Sequence, residues 1–247
     1  MTSSFKSFQK HPKILIIHGM NNNLSCFIPL QEEFLRLGFE CELIPLPGHD
    51  EKHRPVKNLQ IALEIFGQEI KNKIDGPYFI ISFSQGSLYT QVWLERNLFP
   101  KPKAQVLLAP ALSLKYPNLA KNLVRILPND FKIKGQTPVE LRLKSKLSIL
   151  DYQILLDGIF EFKNNKSPFP IPSLLMIDPK DELLNAKEML EFKYSHLKTI
   201  SIKRPKLNKW FGSHHVLFHP DYFEADEWIR FISEINNFFQ EHSGSFN

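Results

Sequence analysis

The chain has 247 residues, of which 43% are hydrophobic and 23% charged, with 31 basic and 26 acidic side chains and a formal net charge of +5. This apolar content and balanced charge exclude an intrinsically disordered chain, and 10 glycines and 18 prolines without a period exclude a fibrous one. At this length we expect a single globular domain over residues 1–247.

Membrane and export segments are not visible in the sequence. The longest uninterrupted apolar runs, such as Ile14–Ile17, are too short to cross a bilayer. Residues 1–13 contain no apolar stretch of the kind that a secretory signal needs. The two cysteines, Cys26 and Cys41, make a weak case for a disulfide without export, so we expect reduced thiols and a cytoplasmic protein.

Short apolar runs alternate with longer segments of helical period. Most of the runs are continuously apolar, as strands covered on both faces are. The predicted strands are Ile14–His18, Glu40–Leu46, Tyr78–Ser82, Gln105–Ala109, Ser173–Asp178 and Thr199–Lys203. The predicted helices are Phe27–Leu37, Leu59–Ile74, Gln85–Phe99, Leu184–His196 and Asp221–Gln240. This alternation predicts an α/β fold with a doubly wound, mostly parallel sheet of about six strands and helices on both faces.

One connection is too long for a simple crossover, because 63 residues (110–172) separate the fourth and fifth predicted strands. We therefore expect an inserted helical cap at roughly residues 111–170, within the same domain. Thr137 to Glu140 (TPVE) has the pattern of a capping box with proline at the first helical position, and a shorter helix is predicted around Asn118–Leu127. The apolar stripe expected after the capping box is Leu143, Leu147, Leu150 and Ile154.

The predicted cap is strongly basic. From Ala111 to Leu150 it has eight basic residues and two acidic ones. This pattern fits a solvated helix face rich in lysine, or a surface that attracts anionic lipid membranes or acidic acyl carriers. Nucleic acid is not an expected partner, because the sequence has no recognition motif and the basic residues lack interleaved aromatics.

A candidate nucleophile lies where the third predicted strand must turn into a helix. The sequence Ser82-Phe83-Ser84-Gln85-Gly86 has small residues on either side of Ser84, as a tight strand–turn–helix elbow requires. In such a turn the serine Oγ is exposed above the sheet, and the N–H of Gln85 at the helix start faces a developing oxyanion. Ser82 occupies the position where glycine is usual in this motif.

A second oxyanion donor is expected from the loop after the first strand, which reads His18-Gly19-Met20. Glycine allows a tight turn that leaves the N–H of Met20 free. In a doubly wound sheet the first and third strands are neighbours, and ligands bind beyond their carboxyl ends. The Met20 loop and the Ser84 turn both leave from that place.

An activated serine also needs a base and a carboxylate that orients the base. Asp181 follows the strand Ser173–Asp178, with Asp178 as its rival, and His215 precedes the last helix, with His214 as the alternative. The chain order serine, aspartate, histidine is that of the α/β-hydrolases and differs from the orders in chymotrypsin-like and subtilisin-like proteases.

The sequence resembles the α/β-hydrolase superfamily, and within it the bacterial carboxylesterases and monoacylglycerol lipases. The resemblance runs from Ile14 to the last helix through ILIIHGM, LRLGFECELIPLPGHD, ISFSQGS, IDPKDELL and SHHVLFHPD. It implies a serine esterase for carboxylic esters that works through an acyl-enzyme. By position it implies the nucleophile Ser84, the base His215, the orienting acid Asp181, and the oxyanion donors Met20 and Gln85.

We expect no cofactor and no metal. His215 and His219 lie four residues apart, but this spacing places both on one face only in a helix, and Gly212 and Pro220 favour a loop. Two other functions remain open from the sequence. The same residues serve an acyl thioesterase or acyltransferase, and the fold can also be a binding scaffold with a vestigial triad.

Overall fold

The computed structural model describes residues 12–49, 56–96, 100–165, 168–207 and 211–244. Within these ranges the strands are β1 (Lys13–Ile17), β2 (Glu40–Ile44), β3 (Tyr78–Phe83), β4 (Gln105–Leu108), β5 (Lys132–Lys134), β6 (Lys146–Ser148), β7 (Ser173–Ile177) and β8 (Leu197–Ser201). The α-helices are α1 (Ile28–Arg36), α2 (Leu59–Lys71), α3 (Gln85–Glu95), α4 (Pro117–Ile126), α5 (Ile149–Asn164), α6 (Ala186–Leu190) and α7 (Ala225–His242).

Six of these strands form one parallel sheet in the order β2-β1-β3-β4-β7-β8. Every residue of β1, β3, β4 and β7 is buried, so the centre of the sheet is covered on both faces. This explains why these strands read as mainly apolar runs, since neither face of the sheet is exposed to water. The predicted doubly wound α/β fold is confirmed, with β1 and β3 adjacent as expected.

Two groups of helices cover the sheet. Helices α1 and α7 meet through Phe34 and Phe239, and the Phe239 ring stacks on Phe79 of β3 at 4.4 Å between ring centroids. Helices α2, α3 and α5 pack against one another. A Cβ on Gly158 of α5 would lie 2.9 Å from Leu88 of α3, so glycine permits the close approach of these two helices.

Within the described residues, the largest differences from the predicted helix bounds are in α6 and α7. The helix predicted over Leu184–His196 is confined to α6, because Leu184 lies in the turn bonded to the Asp181 carboxylate. The helix predicted from Asp221 begins at Ala225, since Asp221 is in a single 3-10 turn and Glu224 forms the capping box of α7. The predicted end of α3 at Phe99 lies outside the described residues.

The long connection between β4 and β7 contains α4, the antiparallel pair β5 and β6, and α5. Helix α4 confirms the helix predicted around Asn118–Leu127. The capping box predicted at Thr137–Glu140 is wrong, because the Glu140 carboxylate accepts a hydrogen bond from the hydroxyl of Tyr222 at 2.6 Å. The helix begins instead after Ser148, which forms a capping box with Asp151.

Within the described residues, no helix is long and apolar enough to cross a membrane. Cys26 and Cys41 are both free thiols.

Candidate active site

Ser84 occupies a strained turn between β3 and α3. Its backbone has φ 51° and ψ −117°, a conformation that side-chain-bearing residues rarely adopt. The turn is held by hydrogen bonds from the Ser84 N–H to the carbonyl of Leu108 at 3.0 Å and from the Ala111 N–H to the Ser84 carbonyl at 3.1 Å. These hydrogen bonds hold Ser84 in an unfavourable backbone conformation. The strained turn matches the elbow predicted from the sequence.

Small residues around the elbow are required by close backbone contacts. A Cβ on Gly86 would collide with the carbonyl oxygen of His18, and a Cβ on Gly19 would lie 2.9 Å from the Cβ of Ser84. Ser82 is accommodated because its buried hydroxyl reaches the Val106 carbonyl at 3.4 Å. The serine in place of the usual glycine is therefore compatible with this turn.

A continuous chain of hydrogen bonds joins three of the predicted site residues. The Ser84 Oγ lies 3.0 Å from Nε2 of His215, and Nδ1 of His215 lies 2.8 Å from Oδ2 of Asp181. Because the carboxylate only accepts, Nδ1 carries the proton and Nε2 is left to accept from the serine hydroxyl. This tautomer is the one in which a histidine can remove a proton from a serine.

Asp181 is buried and held in its charged form. Its Oδ1 accepts hydrogen bonds from the N–H groups of Leu183 at 2.8 Å and Leu184 at 2.9 Å. Burial alone would raise the pKa of this carboxyl, but His215 and these two N–H groups outweigh burial and lower it below the usual value. The group is therefore an ionised acceptor at neutral pH.

The two alternatives left open by the sequence, Asp178 and His214, pair with each other. Nδ1 of His214 lies 2.8 Å from Oδ2 of Asp178, and the same oxygen accepts a hydrogen bond from Nε of Arg204 at 3.0 Å. Neither residue takes part in the chain that ends at Ser84. Sequence reasoning missed Arg204, because a lone arginine after a strand carries no pattern that distinguishes it from a surface cation.

The loop after β1 contacts the elbow and presents Met20 to the site. His18 accepts a hydrogen bond from the Leu46 N–H at Nε2 (2.7 Å), so its Nδ1–H donates to the Gly19 carbonyl at 2.8 Å. The Gly19 carbonyl and the Met20 N–H belong to one trans peptide and point in opposite directions. His18 therefore fixes the direction of the Met20 N–H.

The second predicted oxyanion donor, Gln85, is the first residue of α3. A helix has no internal acceptor for the N–H of its first residue, which leaves this group available to a ligand. Met20 and Ser84 line the same two cavities, so the structure brings the predicted donor loop and the elbow to one place.

The asparagines that follow Met20 fasten the cap to this loop. Asn21 is buried, with φ 61°, and its side chain bonds the N–H and carbonyl of Lys144 at 2.8 and 2.9 Å. Its backbone carbonyl accepts from the Leu143 N–H at 2.8 Å, and its N–H donates to Nδ1 of His49 at 3.2 Å. Asn21 therefore joins the cap to the loop after β1.

Two cavities meet at Ser84 and His215. The larger has a volume of about 180 Å³, and the smaller about 60 Å³. The larger lies beneath α4 and is mainly apolar, with walls that include Leu119, Leu123, Ile133, Ile149 and Leu155. The smaller is lined by residues that include Asn22, Thr137, Pro138, Gly212 and Val216. The nucleophile candidate therefore lies at the junction of a wide apolar arm and a narrow arm.

Among the described residues, no group of three or more histidine, cysteine, aspartate or glutamate side chains is arranged to hold a metal ion. His214 and His215 are bonded to different carboxylates, and His219 lies 3.7 Å from Asp221.

Several solved structures have an architecture similar to that of this chain. No family model and no curated protein matches the chain. Among solved structures, it is similar to a monoacylglycerol lipase from Paleococcus ferrophilus (17% identity, TM-score 0.67), covering 92% of this chain and 96% of the lipase. It is also similar to the ferulic acid complex of Est1E from Butyrivibrio proteoclasticus (18%, TM-score 0.64, 94% and 90% covered).

A third similar structure is MenH from S. aureus, at 17% identity and a TM-score of 0.61, with 96% of this chain and 97% of that one covered. Identities below one fifth establish the fold and not the reaction. The topology, the elbow and these likenesses agree, and the chain has the α/β-hydrolase fold.

Proposed function

We propose that the protein is a serine esterase that hydrolyses carboxylic esters through an acyl-enzyme. The observation that carries this proposal is the unbroken hydrogen-bonded chain from Asp181 through His215 to Ser84. A binding scaffold has no need for a strained serine aimed into a cavity and bonded to a histidine in the basic tautomer.

The reaction follows from the positions of the groups. His215 Nε2 takes the Ser84 proton as Oγ attacks the ester carbonyl, and the N–H groups of Met20 and Gln85 stabilise the oxyanion of the tetrahedral intermediate. As the intermediate collapses, His215 gives the proton to the departing alcohol. Water then attacks the acyl-enzyme with His215 as base, and the carboxylic acid leaves with Ser84 restored.

The two arms suggest which part of the ester occupies each side. The large apolar arm is somewhat bigger than the roughly 150 Å³ apolar cavity that holds one benzene molecule. We assign it to the acyl group, with room for chains of about six carbons, and assign the small arm to the alcohol. Longer chains on the acyl side of a p-nitrophenyl ester should therefore be preferred to acetate.

The decisive experiment is incubation with a fluorophosphonate, followed by peptide mass mapping, alongside hydrolysis of an ester chain-length panel. We expect one adduct on Ser84, and neither adduct nor turnover with Ser84→Ala. The matched control is Ser87→Ala, which removes a hydroxyl bonded to the Ser82 carbonyl without touching the substrate. A folded wild-type protein without an adduct would refute the proposal and favour the scaffold.

The same residues serve a thioester, so the panel includes acyl-CoA substrates of the same chain lengths. Turnover of acyl-CoA far above that of simple esters would make the protein a thioesterase. Transfer of the acyl group to an added alcohol in preference to water would make it an acyltransferase. Both outcomes retain the nucleophile and change only the substrate or acceptor.

We also propose that the cap meets anionic lipid surfaces. Helix α4 has no buried residue, and Leu119, Leu123 and Ile126 are exposed along one side of it. The cap also exposes seven of its eight basic residues, and their positive charge is complementary to a negatively charged bilayer. They are Lys115, Lys121, Arg125, Lys132, Lys134, Lys144 and Lys146. Each contributes about 1 kcal/mol near such a surface.

Co-sedimentation with vesicles tests this contact. We expect binding to phosphatidylglycerol vesicles, little binding to phosphatidylcholine, and weakening in high salt. Lys121→Glu with Arg125→Glu should abolish it, whereas the control Arg230→Glu on α7 should not. Equal binding of wild type and the Lys121/Arg125 double variant would show that the basic face is only solvated.

A further inference from the structure

A buried polar cluster lies behind the candidate active site and consists of Asp178, Arg204 and His214. The side chains of Arg204 and Asp178 are 0% and 1% exposed, and that of His214 is 14% exposed. Oδ2 of Asp178 accepts a hydrogen bond from Nε of Arg204 at 3.0 Å, and Nδ1 of His214 lies 2.8 Å from the same oxygen. Burial of such a charge pair has a large desolvation cost. The attraction between the charges offsets this cost only where further hydrogen bonds satisfy both partners.

The remaining donors of Arg204 are directed at the loop that carries His215. Nη1 donates to the carbonyls of Val216 at 2.6 Å and Tyr222 at 3.2 Å. Nη2 donates to the carbonyls of His214 at 2.6 Å and Ser213 at 3.5 Å. With the bond to Asp178 this makes five hydrogen bonds, as many as a guanidinium has N–H groups.

These contacts hold the loop on both sides of His215, because the carbonyls belong to the residues just before and just after it. The ring of Phe223 covers the guanidinium, with the central carbon of Arg204 4.9 Å from the ring centroid. Such a planar fork constrains the backbone more strictly than a single ammonium can, since a lysine offers one donor atom in place of three.

The cluster is also hydrogen-bonded to the turn that contains Asp181. Oδ1 of Asp178 accepts from the Lys180 N–H at 2.8 Å, and the Asp178 carbonyl accepts from the Asp181 N–H at 2.9 Å. The His214 N–H also approaches Oε1 of Glu182 at 3.4 Å. The acid turn and the histidine loop are therefore joined through one buried ion pair.

We propose that Arg204 and Asp178 are positioning residues that fix His215 relative to Asp181 and Ser84. The inference rests on the proposed function, because it takes His215 as the catalytic base. Without the guanidinium, the carbonyls of the histidine loop lose their common donor, and the imidazole is no longer held at 3.0 Å from the serine oxygen. Displacement of a reacting group by about 1 Å can cost 100-fold in rate.

The test compares Arg204→Lys with the wild type and with Arg96→Lys. Arg96 pairs with Glu161 between α3 and α5, with bonds of 2.7 to 3.0 Å, and is remote from the histidine loop in the hydrogen-bond network. We expect Arg204→Lys to lower kcat about 10- to 100-fold with KM within twofold. Arg96→Lys should leave kcat within twofold.

Fluorophosphonate labelling separates positioning from loss of folded protein. In Arg204→Lys the labelling rate should fall while the final stoichiometry stays near that of the wild type. If the stoichiometry falls in proportion to kcat and the rate of the labelled fraction is unchanged, the residue is merely structural and the inference is overturned. Where Arg204→Lys does not fold, His214→Asn, which alters a side chain at the edge of the cluster, should give a smaller decrease in the same rate.

The NMR resonance of the His215 Nδ1 proton provides a readout that does not depend on ester turnover. We expect it to shift or broaden in Arg204→Lys and to stay in place in Arg96→Lys. If the wild type hydrolyses no ester but this resonance responds as stated, positioning holds and the proposed function fails. If the wild type hydrolyses esters but neither the resonance nor the labelling rate changes in Arg204→Lys, the proposed function holds and the positioning inference fails.

Discussion

Replacing Ser84 by glycine should make the protein more stable than replacing it by alanine. Both variants lose the hydroxyl and its bond to His215, so their difference isolates the backbone. A non-glycine residue at φ 51° and ψ −117° stores about 1–3 kcal/mol of strain. Glycine removes this strain but gains about 0.4–1 kcal/mol of unfolded-state entropy. The net expectation is that Ser84→Gly is more stable than Ser84→Ala by about 1 kcal/mol.

Thermal unfolding followed by calorimetry measures this difference. For a chain of this size, 1 kcal/mol corresponds to about 2–4 °C in Tm. The control is Ala120→Gly within α4, where the backbone is helical and glycine should cost about 1 kcal/mol. If Ser84→Gly proves less stable than Ser84→Ala by a similar amount, the elbow is not strained and the reasoning fails.

Three further predictions concern the candidate acid, the elbow and a buried histidine. Asp181→Asn should lower kcat by about 10⁴-fold in steady-state hydrolysis, because an amide can donate to Nδ1 and favour the wrong tautomer of His215. Gly86→Ala should give little folded protein by circular dichroism, since its Cβ would collide with the His18 carbonyl. His49 has a pKa lowered by burial to about 4, so the unfolded chain binds its proton first and stability should fall from pH 6.5 to about pH 4. Urea unfolding should show that His49→Gln removes part of this fall.

The strands could be predicted closely because burial on both faces leaves an unbroken apolar run. β2, β3, β4 and β7 begin at the predicted starts, whereas β1 begins one residue earlier and β8 two residues earlier than predicted. The errors fall where side chains bond outside their own segment. Glu140 is a typical capping residue in sequence, yet its carboxylate is bonded to Tyr222, and that partner is 82 residues away.

The same limit applies to the choice between the two aspartates and the two histidines. Asp178 and Asp181 lie in one turn, and His214 and His215 are adjacent, so residue type and spacing cannot separate them. Their pairing depends on which imidazole faces which carboxylate across 34 or 36 residues. Arg204 contributes to that choice, and no local pattern marks it in the sequence.

The loop after β1, which holds the proposed donor Met20, shows why a candidate site can be located from sequence more readily than its orientation can be explained. Glycine before Met20 predicts a tight turn, but the turn alone does not decide where the N–H points. That direction depends on His18, whose tautomer depends on the Leu46 N–H just beyond β2. The N–H of Met20, the proposed donor beside β1, is thus oriented from the neighbouring strand. Its geometry is a property of the assembled sheet edge and of no single motif.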